Sequence, residues 1–258
     1  LITSPRNPHV RALRALLDRR ERQRAGRAVV TGLRLVETAL KLGRAEELLV
    51  LAGAGPEVES VARRGRQLGV PVRQVSQAVL DALSDVKTPQ PVAAVVRLPE
   101  VVPLSALRWR WLAVADGLQD PGNLGALVRT AHAAGFDAVA VLPGTTDPFH
   151  PRAIRGSAGS CFALPVASAT PEEVCGAARV WVADPQGEVD YRQASYDPPV
   201  ALVFGSEAAG VRHAWPKART VRIPLAPGVD SLNVTAAAAV LLYEARRAWT
   251  PGKPASST

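Results

Sequence analysis

Residues 111–136, WLAVADGLQDPGNLGALVRTAHAAGF, decide the fold class. The apolar run Trp111–Ala115 reads as a buried strand. Leu124–Ala134 then repeats apolar residues at helical spacing up to Gly135, a good helix stop. Another apolar run, Ala138–Leu142, follows at once. A strand, a crossing helix and a second strand within roughly thirty residues form a parallel pair.

The alternation continues toward the C-terminus. Strands are expected over Phe162–Val166, Val180–Ala183, Val200–Gly205 and Val221–Leu225. Helices are expected near Pro151–Ser157, over Pro171–Ala178 and, closing the chain, over Val234–Trp249. Near-continuous apolar strands separated by helices predict an α/β domain with a parallel sheet covered on both faces. Toward the N-terminus the pattern is shorter. Strands over Ala28–Thr31, Glu47–Ala52, Val70–Val75 and Val92–Leu98 alternate with helices over Leu33–Leu42, Pro56–Leu68 and Ser76–Leu83. The expected division is a small α/β domain over 1–98, an extended proline-containing linker over 99–107, a second domain over 108–250 and a disordered tail over 251–258.

The 258-residue chain is 47% hydrophobic, which is enough for a large core and argues against wholesale disorder. No apolar run approaches the length of a membrane span. The start, LITSPRNPHV, has neither the apolar stretch nor the cleavage site of a signal peptide, so a cytoplasmic location is expected. The two cysteines, Cys161 and Cys175, fit no zinc or redox spacing, and the four histidines are scattered; no metal is expected.

Net charge is +8, and its distribution is uneven. Arg6, Arg11, Arg14, Arg19, Arg20, Arg22, Arg24 and Arg27 crowd the first thirty residues against only Asp18 and Glu21. Val10, Leu13, Leu16 and Leu17 recur at helical spacing, so one face is apolar while the arginines ring the rest. Such a surface is either a solvated face or one that contacts phosphates, because each guanidinium can fork onto two oxygens.

Ligands of parallel α/β sheets sit beyond the carboxyl ends of the strands. Several loops there have compositions that packing alone does not demand. In Asp116–Gly125, Pro121-Gly122 makes a turn and Asn123 is a candidate helix cap, with Arg129 inside the helix that follows. In Phe204–Val211, Gly205 allows close backbone approach and Glu207 stands near a helix start. In Ile223–Thr235, Ser231 and Asn233 precede an alanine-rich helix whose small side chains admit another backbone.

On these segments the chain resembles the SpoU/TrmH family of SPOUT RNA methyltransferases. The stretches are NLGALVRTAHAAGF (123–136), VFGSEAAGV (203–211) and IPLAPGVDSLNVTAAAAVLLYE (223–244). In the first half, ITSPRNPHVRAL, VVTGLRLVETAL and KTPQPVAAVV are similar to the substrate-binding domain of many members, although Pro91 stands where glycine is usual. The resemblance implies a C-terminal SPOUT domain with a deep trefoil knot, S-adenosylmethionine held in the knotted loops, and a homodimer in which the partner chain completes the active site. It implies methylation of a ribose 2′-hydroxyl in structured RNA, ribosomal RNA before transfer RNA, with no metal and no membrane.

Motif matching places Arg129 beside the hydroxyl or the adjacent phosphate, with Asn123 positioning the ribose or orienting Arg129. Glu207 then pairs with Arg129, and Ser231 and Asn233 shape the catalytic centre. Gly205, Ile223, Leu225 and Leu232 line the cofactor pocket, and Arg6, Arg11 and Arg14 contact RNA. A transfer-RNA enzyme and a non-catalytic RNA-binding member stay open. A small-molecule enzyme with a nucleotide cofactor would carry G-x-G-x-x-G after a strand, and no strand here is followed by one. Removing residues 1–100 is expected to weaken RNA binding and to leave a folded, cofactor-binding dimer.

Overall fold

The computed structural model describes residues 1–86, 88–206 and 209–247. Glu207, the last residues of the expected closing helix and the tail 251–258 lie outside them. The chain divides into two compact units, Leu1–Glu100 with Asp147–Pro165, and Val101–Thr146 with the residues from Val166 on.

The first unit opens with α1 (Pro8–Ala15) and α2 (Arg19–Ala25), followed by β1 (Arg27–Thr31), α3 (Leu33–Lys41), β2 (Ala45–Leu51), α4 (Pro56–Gln67), β3 (Val72–Val75), α5 (Gln77–Ala82) and β4 (Val92–Arg97). The strands form one sheet in the order β1-β4-β2-β3, antiparallel except for the β2–β3 pair. Asn7 and Asp18 accept amide hydrogens at the starts of α1 and α2. Val10, Leu13 and Leu16 bury the apolar stripe of α1 against Val29, Leu49, Val75 and Val95. Arg6, Arg11 and Arg14 are exposed, and among the described residues they meet no acidic side chain.

Arg22 breaks the expectation of an arginine-ringed surface. It is 1% exposed. It donates to the carbonyls of Leu16 and Leu17, at 3.2 and 2.7 Å, and to Asp147 Oδ2 at 2.7 Å. One arginine thus closes the α1–α2 turn and pins a segment more than a hundred residues away.

The second unit runs β5 (Val102–Pro103), β6 (Trp111–Ala115), α6 (Pro121–Ala133) and β7 (Ala138–Val141). After α7 (Pro151–Gly156), which belongs to the first unit, it resumes with β8 (Val166–Ser168), α8 (Pro171–Ala177), β9 (Arg179–Ala183), β10 (Val189–Asp190), β11 (Val200–Phe204), β12 (Arg219–Arg222) and α9 (Val234–Ala245). Its eight-stranded sheet has the order β10-β12-β9-β11-β6-β7-β8-β5, and every neighbouring pair is parallel. α9 packs on α6 and β11 through small and aliphatic residues, with Ala238, Leu241 and Leu242 buried. Its C-terminal Arg246 lies 4.6 Å over the Trp111 ring and donates to the Ala134 carbonyl at 3.3 Å. No helix among the described residues is long and apolar enough to cross a membrane.

Several expectations change. The segment expected as linker carries β5, which pairs with β8, and a 3-10 turn that buries Leu104. The strand expected over Phe162–Val166 is instead a 3-10 turn, Ser160–Phe162, and the strand begins at Val166. Ser157 Oγ accepts the amides of Gly159 and Cys161 at 3.2 and 3.5 Å, which folds the chain into a turn. Pro165 then has no amide to give a ladder. The strand expected over Val221–Leu225 ends at Arg222, just before Ile223-Pro224, for the same reason. The stretch Asp147–Pro165 packs with the first unit although it was expected inside the 108–250 domain. In that stretch Phe149, Ala153, Ile154, Cys161 and Phe162 are buried.

Two predictions follow from this unit. Asp147→Ala leaves a buried guanidinium without its counter-charge and costs about 3–5 kcal/mol. Arg24→Ala, at an exposed pair, costs about 1 kcal/mol or less. Urea denaturation of the two variants checks the contrast, and equal midpoints would contradict it. Removing residues 1–100 strips Asp147–Pro165 of its packing. The truncated chain is therefore expected to bind a hydrophobic dye strongly and to melt without a sharp transition, rather than to remain well folded.

Candidate functional site

The parallel sheet delivers the ends of β9, β11 and β12 to one edge, and α9 covers them. Between them lies a cavity of about 170 Å³, more than ten times what a single water requires on the same measure. Ala183, Asp184 and Pro185 line it from the end of β9 and the turn after it, Phe204, Gly205, Ser206 and Gly210 from the end of β11 and the loop after it, and Val221, Ile223 and Leu225 from β12 and the residues that follow. Ser231 and Leu232 come from the loop before α9, and Val234, Ala237 and Leu241 from α9 itself. The lining is mainly apolar, with backbone groups and a few polar side chains, as small-molecule pockets are.

Gly205 is the tightest point. A Cβ there would stand 2.1 Å from the Gly210 carbonyl carbon and 2.3 Å from Val211 N, so no other residue fits without moving the backbone. Ser206 and Gly210 exchange amide-to-carbonyl hydrogen bonds at 2.8 and 2.9 Å, closing a small loop above Gly205. Gly210 takes φ +66° to do so.

The far end of that loop is held by Asp116, which is fully buried where β6 ends. Its carboxylate accepts from the amide of His213 at 3.1 Å, from His213 Nδ1 at 2.6 Å and from Trp215 Nε1 at 2.9 Å. An unpaired carboxylate in such a place would be costly, so these donors and the acid require one another.

The structure gathers Gly205, Ile223, Leu225, Leu232 and Ser231 around the cavity. Asn123, Arg129 and Asn233 are not in its lining. Asp120, and not Asn123, caps α6 by accepting the Asn123 amide at 3.0 Å. Pro121 takes the first helical position, and Asn123 falls in the first turn. Arg129 projects from the same helix, exposed and with no partner among the described residues. Asn233 caps α9, accepting from Thr235 N at 3.0 Å. Glu207 lies outside the described residues.

Sequence reading missed Asp184-Pro185 and Asp116. Asp184-Pro185 directly follows an apolar strand, and a turn after a parallel strand was signal enough. Asp116 gave no such signal, because its partners lie 97 and 99 residues away.

Comparison with known proteins identifies the family. The SpoU rRNA Methylase family model matches residues 111–243, and an MRM3-like substrate binding domain matches residues 7–94. A 23S rRNA (guanosine(2553)-2′-O)-methyltransferase, RlmP, of Bacillus subtilis is 33% identical, covering 95% of this chain and 98% of its own. A solved RNA 2′-O ribose methyltransferase superposes with a TM-score of 0.82 at 39% identity, covering 95% of this chain and 98% of its own. An AdoMet-bound rRNA methyltransferase from Sinorhizobium meliloti superposes with a TM-score of 0.81 at 33% identity, covering 96% and 98%. Matched in both halves, and by relatives across nearly its whole length, this chain belongs to the SpoU rRNA methylase family.

Proposed function

We propose that this protein transfers the methyl group of S-adenosylmethionine to a ribose 2′-hydroxyl of ribosomal RNA in the cytoplasm. The observation that carries the reading is the cavity under α9, whose apolar walls, exposed backbone edges and glycine-built loop suit an adenosine group. The Bacillus subtilis relative named as a 23S rRNA methyltransferase, and the rRNA methyltransferase solved with AdoMet, support ribosomal RNA and this donor. The exposed arginines of α1 and of the segment before it, Arg6, Arg11 and Arg14, supply the polyanion-binding surface.

When bound, the donor supplies an activated methyl on a sulfonium, so no metal is needed. Gly205, Ile223, Leu225 and Leu232 hold it through backbone groups and apolar contact, and Ser231 orients its edge. The protein's remaining work is to align the ribose oxygen with the methyl, worth several kcal/mol, and to stabilise charge on that oxygen. Arg129, whose guanidinium has no acid among its described neighbours, is suited to that charge. Asn123 on the same helix positions the ribose, and Asn233 sets the start of α9.

Asn123 and Arg129 do not line the cavity of their own chain, which supports a homodimer in which the second protomer presents them. Val240 and Tyr243, exposed on α9, suit such an interface. The proposal includes knotted threading of the C-terminal segments, supported by the meeting of Gly205, Ser206 and Gly210 with Ile223, Leu225, Ser231 and Leu232 around one cavity.

The test is incubation with total RNA and a labelled methyl donor, followed by mapping of alkali-resistant ribose positions. Label in ribosomal RNA is expected; label only in transfer RNA would redirect the reading, and no label would end it. Arg129→Ala is expected to lower methyl transfer at least ~100-fold while leaving donor affinity near that of the parent, as calorimetry would register. Gly205→Ala is expected to reverse that pattern. The overpacked loop costs about 1–3 kcal/mol, and the loss appears in donor affinity.

A further inference from the structure

The loop that Asp116 holds carries a side chain for which the proposed reaction has no role so far. Arg212 is exposed, and among the described residues it has neither a hydrogen bond nor an ion pair. Yet it is not free to wander. The amide of the next residue, His213, donates to buried Asp116, and the His213 and Trp215 side chains donate to the same carboxylate. Its own stem lies in a bed formed by glycines that follow β6 and β7. A Cβ on Gly117 would stand 2.9 Å from Arg212 Cβ, and one on Gly144 would stand 2.8 Å from Arg212 Cδ, Nε and Nη1. Both glycines adopt left-handed backbone, φ +79° and +85°, so side chains are disfavoured there on two counts.

The bed is itself braced. Gln119 Nε2 donates to the carbonyls of Gly117 and Gly144, at 3.1 and 2.5 Å. Thr145 Oγ1 accepts the Gly117 amide at 3.0 Å and donates to the Ala115 carbonyl at 2.9 Å. The whole arrangement presents one guanidinium beside Gly144, at the carboxyl edge of the sheet.

A salt-bridging arginine would be expected to meet a carboxylate in such a place, and this one meets none among the described residues. A guanidinium ordered before its ligand arrives loses little further rotamer freedom on binding. Its planar fork matches two oxygens of a phosphate. Neither Arg212 nor its glycine bed lines the cavity proposed for the methyl donor, so the donor's carboxylate is not its partner.

We propose that Arg212 contacts a backbone phosphate of the RNA substrate, holding the strand across the loops that follow β6 and β7. This rests on the RNA-methylating reading above. The experiment measures binding to in-vitro-transcribed 23S ribosomal RNA over a series of KCl concentrations, with donor affinity measured separately by calorimetry. Arg212→Gln is expected to weaken RNA binding about tenfold and to flatten the salt dependence by about one phosphate contact, 0.7–0.9 in log–log slope. Arg212→Lys is expected to restore the slope and only part of the affinity, since a point charge replaces the fork. Donor affinity stays at the parent value in both.

Unchanged RNA affinity and slope in Arg212→Gln overturns the proposal. So does a loss of donor affinity in place of RNA affinity. A parent protein that methylates the RNA while Arg212→Gln binds it equally well sinks this inference alone; a parent that neither binds nor methylates RNA sinks the functional reading and this inference with it.

Discussion

A sheet whose strands all run the same way cannot be built from hairpins. Each of the neighbouring pairs in the second unit is parallel, so each connection must return across the sheet before the next strand starts. Every strand therefore releases its chain at the same edge. That constraint brings residues 183–185, 204–206 and 221–225 together although they are separated in sequence. It also places Asp116, at the end of β6, beside the loop that leaves β11. The site is a consequence of direction before it is a consequence of side chains.

Once the loops share an edge, what distinguishes them is how closely their backbones approach. Gly205 carries no side chain because the Gly210–Val211 peptide occupies that space. The turn it permits is short enough for Asp116 to reach the His213 and Trp215 groups beyond it. A missing Cβ and a buried carboxylate fix opposite ends of one loop. The alanine-rich start of α9 extends the same logic to the other wall, where Ala237 lines the cavity and Ala238 is fully buried.

The strands and helices were legible because their periods are strong: Trp111–Ala115 and Val200–Phe204 are continuous apolar runs, and α3, α4 and α6 repeat at helical spacing. Pro165 and Pro224 made two strand boundaries shift, since proline truncates a ladder that hydrophobicity alone would extend. The cavity residues Gly205, Ile223, Leu225 and Leu232 were read from motif resemblance, and they meet in one place. The partners of Asp116 and Arg22 were not legible. A buried polar residue looks like an exposed one in sequence until the fold supplies its counterpart, and here the counterparts lie 97 and 125 residues away. The stretch Asp147–Pro165 was assigned by its position along the chain, whereas its buried residues pack with the first unit.

The Arg22–Asp147 pair has a bearing on synthesis. The N-terminal unit is not complete when its own hundred residues have left the ribosome, because it still lacks the stretch that begins at Asp147. At roughly 5–20 residues per second, that stretch arrives some seconds later. During the interval the Arg22 guanidinium has no counter-ion and the apolar surface that receives Ile154 and Phe162 stands open. Strands β6 and β7 of the catalytic sheet emerge in that window. The order of translation therefore interleaves the two units, and neither is finished before the other has begun.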